Sequence, residues 1–594
     1  MEEKRLLAVA VGMIAVFSVL TARLAWLSTD ESARYAVQKQ SEATLPLSEG
    51  RGDIYDCNQW KMTDWEYRTY GLFSPGKESY RTWFESVDET QKSAFYGSIQ
   101  RREPFLVQLQ DTQKQPEFVF RQAQRYWSQP IAAHLIGYLD GEGHGVYGLE
   151  KACEDWLAEA GTKEEVVCTV DALGAYLNTN HDVPTLQKTP GTGEGLMLTL
   201  DSRIQRICEG IAQEKMDRGA IVVMETATGK IRASVSMPLF DPTDIAASIE
   251  KNDTSLINRP ISGYSVGSVF KPVIAAQALK AGISPDTLYE CTGEYELNGH
   301  IYRCAYGKGH GVVNMTEAME QSCNCYFIHL GLMLGAQSVH DAAQAAGCGQ
   351  VTPIVPGWNT TAGNLPTVEQ LEDKGQLASV SFGQGALLAS PVQVAGFLNI
   401  FANDGVYIQP SYAQGIIDTE SGQVTESFYR PIQRTVFEPD IAKQVQEMMV
   451  SVIENGIGSA AAPRMTTAGG KTGTAQTGRY NEDHEELMDA WFGGFYPANE
   501  PRYTIVVMMD SGTHGSSDAA RVFADIADAL YCFEGCPEED AVPPLSLEDI
   551  LPDEETDAVE TSAENEDLLI KSNMKKCKKG LAFFSISWYN ESHR

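Results

Sequence analysis

Ser268-Val269-Phe270-Lys271 puts a hydroxyl and an amine three residues apart, a spacing that brings both to one face of a helix. Serine attacks carbonyls poorly until a base removes its proton. A lysine can be that base only if its pKa falls from about 10.4 towards neutrality, which burial or a second nearby cation would bring about. A helix start also offers backbone N–H groups and partial positive charge to an oxyanion. Alone the pair proves little, since Ser572-Asn573-Met574-Lys575 has the same spacing and an N-cap beside a surface lysine would look alike. A second candidate is Ser322-Cys323-Asn324, in which a hydroxyl can relay a proton and an amide can hold a substrate backbone. As a bare tripeptide it equally fits a polar turn. The third is Lys471-Thr472-Gly473 with Thr474, preceded by Gly469 and Gly470. A cation and hydroxyls on an edge strand can bind a carboxylate, and Gly473 leaves room for close backbone approach, although a glycine-rich hairpin would read the same way. All three in this order within one domain leave little room for coincidence.

The elements around these residues are legible. Residues 196–200 read as a strand, Asp201 as the N-cap of a helix over 202–216, and 220–224 with 230–237 as a hairpin turning at Ala227-Thr228-Gly229. A helix begins at Ser268, runs to about Lys280 and stops at Gly282; 491–495 and 503–509 are apolar strands. Strands, then helices, then strands again is an α+β order in which distant ends of the domain pair in one sheet. Upstream, 28–192 read as an irregular α+β module that closes at Thr189-Pro190-Gly191-Thr192-Gly193.

Residues 6–27 are almost wholly apolar, long enough to cross a bilayer as a helix, and follow Lys4 and Arg5, which favours a cytoplasmic N-terminus and an exported remainder. A cleaved signal peptide is the rival reading; no A-x-A-like site follows the run, and Arg23 can snorkel to the interface. A formal charge of -34 makes the chain repel nucleic acid, and nothing in the sequence looks like a phosphate-binding basic stripe, so no nucleic acid is expected. Twelve cysteines show no zinc-type spacing. Cys291 with Cys304, and Cys532 with Cys536, read equally as bridged or as thiols, and one of Cys323 and Cys325 packs as a small apolar group. His310 and His514 read as loop residues. The segment 538–567 carries thirteen acidic residues and no Lys or Arg, the composition of a solvated, disordered tail, and ends in a basic then aromatic stretch.

The serine-x-x-lysine, serine-x-asparagine and lysine-threonine-glycine set is the signature of penicillin-binding proteins and class A β-lactamases. The sequence resembles the class B penicillin-binding proteins, single-pass D,D-transpeptidases of peptidoglycan synthesis. The resemblance extends to Arg51-Gly52-Asp53-Ile54-Tyr55-Asp56, Ala133-His134-Leu135-Ile136-Gly137-Tyr138, Gly148-Leu149-Glu150, Leu198-Thr199-Leu200-Asp201, Phe240-Asp241-Pro242, Gly383-Gln384-Gly385, Ser390-Pro391 and Trp491-Phe492-Gly493-Gly494-Phe495. It covers roughly 1–530. The family's proline two before the nucleophile is Val266 here, and Cys57 stands where an arginine is usual.

This resemblance implies a transmembrane signal-anchor at 1–27, a pedestal (dimerisation-like) domain at 28–192, and a transpeptidase domain at 193–536 with a central antiparallel sheet flanked by helices, ahead of the tail at 537–594. It makes Ser268 the nucleophile, Lys271 its base, Ser322 a proton relay, Asn324 a positioning amide and Lys471 a polarising cation. Thr472, Gly473 and Thr474 bind substrate, and the N–H groups of Ser268 and Thr474 form the oxyanion hole. It implies stem peptides as substrates, β-lactams as inhibitors, a peptidoglycan glycosyltransferase as partner, no metal or organic cofactor, and a catalytic domain outside the membrane. Within the same fold, water as acceptor would make a β-lactamase or carboxypeptidase; without chemistry, the chain would be a scaffold or β-lactam sensor.

Overall fold

The computed structural model describes residues 2–30, 41–48, 50–73, 84, 87–88, 91–99, 103–110, 117–171, 173–177, 183–251, 254–304, 308–480, 484, 486–512 and 516–535. His514, Cys536, the 537–594 tail and Ser572/Lys575 lie outside them. Among the described residues, helix α1 (Glu2–Thr29) is the one long and apolar enough to cross a membrane, and its side chains from Leu7 to Leu27 are largely exposed.

Contacts divide the chain into two units. The first comprises 1–53, 63–128 and 155–195. One of its sheets joins Glu42–Ser48, Lys163–Thr169 and Thr185–Thr189; the other centres on Glu66–Phe73 between Phe105–Gln108 and Val119–Gln124. Its small core gathers Phe73, Val87, Phe95, Val107 and Leu109.

The second unit comprises 54–62, 129–154 and 196–594. Two segments that the sequence assigns to the upstream module therefore fold with the downstream one. The cause is visible at residue 54: Ile54 and Tyr55 pair in parallel with Leu196 and Met197, and Asp56 Oδ2 accepts from the backbone N–H and the hydroxyl of Ser202 at 3.0 and 2.6 Å. Asp56 thus supplies a capping acceptor to helix α2 (Ser202–Lys215) beside the N-cap Asp201, which accepts from Arg203 N.

The centre of this unit is a five-stranded antiparallel sheet of β1 (Gly219–Glu225), β2 (Ile231–Met237), β3 (Gly469–Tyr480), β4 (Glu486–Tyr496) and β5 (Tyr503–Gly512). Their order across the sheet is β2-β1-β5-β4-β3. The early hairpin and the late strands do pair across the domain, Ile221 lying opposite Val507. Strand β1 reads Gly-Ala-Ile-Val-Val-Met-Glu without alternation because both faces of the sheet are covered. On one face α2 and a late helix, Ser516–Glu534, pack Ile204, Ile211, Phe523 and Ile526 against Ile221, Val507 and Phe492.

The other face carries Pro391–Ala402, buried throughout and started by a Ser390/Gln393 capping box with Pro391 in its first turn. Its Asn399 donates to Thr226 O and accepts from Thr504 Oγ1, which satisfies a polar group in an apolar layer. Helix α3 (Lys271–Lys280), preceded by a 3-10 turn over Gly267–Phe270, is buried from Lys271 to Ala276. Helix α4 (Asn324–Ala345) starts just after Ser322 and packs on α3.

Candidate active site

The first two motifs meet at the start of α3. Lys271 Nζ donates to Ser322 O at 2.7 Å, Ser322 Oγ at 3.0 Å and Asn324 Oδ1 at 2.8 Å. An ammonium uses all three acceptors. A neutral amine keeps two N–H donors for the carbonyl and the amide oxygen, which leaves its lone pair to receive a hydroxyl proton. Burial pushes the Lys271 ammonium down to about 8, against the opposing pull of Cys323, Cys304 and Cys325. The ring of Phe327 lies 5.5 Å from Nζ. Ser322 sits in the left-handed backbone region at φ 52, a conformation that strains a non-glycine residue and recurs at functional sites.

The third motif arrives on β3, the edge strand of the sheet. Lys471 and Thr472 are buried and Thr474 is exposed. Lys471 Nζ donates to Thr472 O and Oγ1 at 3.2 and 3.3 Å; burial, then the Lys271 cation, holds its pKa well below the ordinary range. A Cβ at Gly473 would stand 3.0 Å from Val269 Cγ1, 3.1 Å from Trp491 Cβ and 3.2 Å from Val266 O. Glycine here lets the edge strand lie against the turn that carries Ser268. Gly267 answers it from the other side: its φ is +60, and a Cβ there would stand 2.8 Å from Thr474 O. The Thr474 carbonyl therefore points at the serine turn. In an antiparallel strand the N–H and C=O of one residue point the same way, so the Thr474 N–H faces that turn too.

The structure thus gathers Ser268, Lys271, Ser322, Asn324, Lys471, Thr472, Gly473 and Thr474 around one edge of the sheet. It adds groups that the three motifs do not contain. Gln384 Nε2 donates to Thr474 O at 3.2 Å, and Gly383 O accepts from Gly267 N at 2.8 Å, so the 383–385 loop braces both sides of the cleft. Asn324 Nδ2 donates to Arg303 O at 3.0 Å, which orients the amide so that its oxygen meets Lys271. Gly383-Gln384-Gly385 was visible as a motif; the Arg303 carbonyl carries no sequence signal.

One further cluster lies outside the three motifs. Spacing along the chain indicates no metal set, and His310 lies in a loop, as its glycine neighbours lead one to expect. The fold instead brings the donor atoms of Cys291, Cys304, His310 and Cys323 within 4.8 Å of one another. Cys291 Sγ lies 3.7 Å from Cys304 Sγ and 3.4 Å from His310 Nδ1, and Cys304 Sγ lies 3.8 Å from Cys323 Sγ. Cys291 and Cys304 are thiols.

Comparison with known proteins follows this geometry. Residues 219–528 match the family model of the penicillin binding protein transpeptidase domain. The chain is 29% identical over 587 residues to the peptidoglycan D,D-transpeptidase MrdA of Acinetobacter baumannii, covering 86% of this chain and 85% of that protein. Its fold matches penicillin binding protein 3 of Mycobacterium tuberculosis complexed with ampicillin at TM-score 0.60 and 25% identity, over 85% of this chain and 99% of that one. It also matches a chain of a peptidoglycan synthase complex that coordinates polymerization and crosslinking, at TM-score 0.64 and 23% identity, over 90% and 99% of the two chains.

Proposed function

The chain belongs to the penicillin-binding protein transpeptidase family, and on that premise we propose that it cross-links peptidoglycan stem peptides through an ester on Ser268. The observation that carries this reading is the buried Lys271 amine, bonded to Ser322 and Asn324 one helical turn from Ser268. Lys271, as the neutral amine, takes the Ser268 proton while Oγ bonds to the carbonyl carbon of the penultimate D-alanine. Negative charge collects on the carbonyl oxygen, where the N–H groups of Ser268 and Thr474 meet it; losing one such donor costs about 100- to 1000-fold in rate. The C–N bond then breaks, and the proton passes through Ser322 to the departing D-alanine nitrogen.

Lys471 polarises this path from beneath, Thr472 and Thr474 hold the terminal carboxylate, and Gly473 gives the substrate strand room along β3. An amine of a second stem peptide attacks the ester and restores Ser268. A β-lactam imitates the donor, but its leaving nitrogen stays tethered, so the ester persists.

The remaining assignments follow from the same reading. Residues 1–27 anchor the chain in the membrane with the catalytic domain outside, 28–192 supply a pedestal apart from 54–62 and 129–154, and those two segments fold with the transpeptidase domain at 193–536. The related synthase complex supports a membrane glycosyltransferase as partner. Covalent labelling with a fluorescent penicillin tests the core of the proposal. A stable adduct on the wild type that is absent from Ser268→Ala supports it. Label that is rapidly shed would turn the enzyme into a hydrolase, and no label on folded protein would refute acyl transfer.

A further inference from the structure

The transfer chemistry leaves the Cys291, Cys304, His310 and Cys323 cluster unused. These three thiols are buried to 1, 3 and 0% exposure. Thiol pairs at 3.7 and 3.8 Å gain little as hydrogen bonds, and the sulfurs are too far apart to be bonded. The separations do match another arrangement. Sulfurs about 2.3 Å from a tetrahedral zinc ion stand about 3.8 Å apart, and a sulfur and an imidazole nitrogen stand about 3.5 Å apart. Three of the six edges are 3.7 and 3.8 Å for sulfur pairs and 3.4 Å for Cys291 Sγ to His310 Nδ1, and the other three lie within 4.8 Å. Three thiols and an imidazole also form a soft donor set, which disfavours magnesium and calcium.

The cluster is built into the active site. Cys323 is the middle residue of Ser322-Cys323-Asn324. Cys304 follows Arg303, whose carbonyl accepts from Asn324 Nδ2 at 3.0 Å, while Asn324 Oδ1 accepts from Lys271 Nζ at 2.8 Å. Fixing Cys304 to Cys323 therefore fixes the distance between the Arg303 carbonyl and the amide that it orients. We propose that Cys291, Cys304, His310 and Cys323 bind one soft divalent cation, zinc by the chemistry of the set, and that the cation positions Asn324 against Lys271. Its ligands are positioning residues. The positioning half rests on the transpeptidase reading; the metal half stands without it.

The test uses the full chain in detergent, stripped with a chelator and reloaded with zinc alone. About one zinc per chain is expected in the wild type and in Cys348→Ser, whose buried cysteine lies outside the cluster. Cys291→Ser, Cys304→Ser and the milder His310→Ala are each expected to weaken zinc binding at least about tenfold. Cys304→His, which restores a ligand, keeps the metal. Zinc raises the thermal midpoint of the wild type and not that of Cys304→Ser.

Zinc-free wild type acylates more slowly with fluorescent penicillin, and reloading restores the rate. Wild type that binds no zinc, or that carries a Cys291–Cys304 disulfide by mass, overturns the metal site. Equal zinc binding by wild type and Cys291→Ser does the same. Zinc-free protein that acylates at the loaded rate overturns the positioning role. Failure of the transpeptidase reading would instead leave zinc bound to a chain that penicillin never labels.

Discussion

The rate of acylation should follow the charge on Lys271. Burial pushes this amine down from 10.5 to about 8. At pH 7 about one molecule in ten then carries a neutral base, against about one in three thousand for an unperturbed lysine, a gain of about 300-fold. The second-order rate constant for acylation by a chromogenic cephalosporin, measured by stopped flow from pH 6 to 10, should rise about tenfold per pH unit, bend near pH 8 and then level off. Phe327→Leu keeps an apolar neighbour but removes the ring face that stabilises the ammonium from 5.5 Å. It should move the bend downward, speeding the reaction at pH 7 while leaving the high-pH plateau nearly unchanged. The same shift acts on stability: the folded chain binds fewer protons than the unfolded one between about pH 8 and 10.5, so this group's contribution rises with pH through that window. A rate that is flat from pH 6.5 to 9, or that bends only above pH 10, would refute Lys271 as a base prepared by burial.

Gly473→Ala drives a methyl to within 3.0 Å of Val269 and 3.1 Å of Trp491, so β3 must move off the serine turn. Overpacking of this kind costs about 1–3 kcal/mol, and a displaced oxyanion donor should slow acylation about 100-fold, read from labelling rates beside the thermal midpoint. Gln384→Ala removes the donor to Thr474 O and should slow acylation about fivefold, the worth of one neutral hydrogen bond, without lowering the melting temperature. Arg259 is fully buried, with its Nε donating to Asp510 Oδ2 at 2.9 Å and its guanidinium to Thr254 O and Oγ1. Arg259→Leu should cost about 3 kcal/mol in denaturant unfolding, because it removes the buried one of two cations on Asp510 and leaves the half-exposed Arg479 at 2.9 Å.

Local chemistry was legible in the chain itself. The N-cap at Asp201, the hairpin from β1 to β2, the apolar strands β4 and β5 and the helix beginning beside Ser268 all follow from neighbours within a few positions, where propensity and periodicity act. The three motifs also carry their order along the chain, enough to indicate acyl transfer on a serine from sequence alone. The interleaving of 54–62 and 129–154 with the second unit was not legible. It depends on Ile54 finding Leu196 and Asp56 finding Ser202, contacts between residues with no sequence pattern in common.

The order of residues along the chain is enough to single out candidate groups: two serines, two lysines, an asparagine and a glycine-spaced edge strand, behind an apolar N-terminal helix. The state of those groups comes from the three-dimensional fold. Whether Lys271 is an ammonium or a base depends on desolvation by everything packed around it, and desolvation is a sum over space rather than over sequence. The thiol and imidazole cluster exists for the same reason. Cys291, Cys304, His310 and Cys323 share no recognisable spacing, and folding alone brings their donor atoms within 4.8 Å.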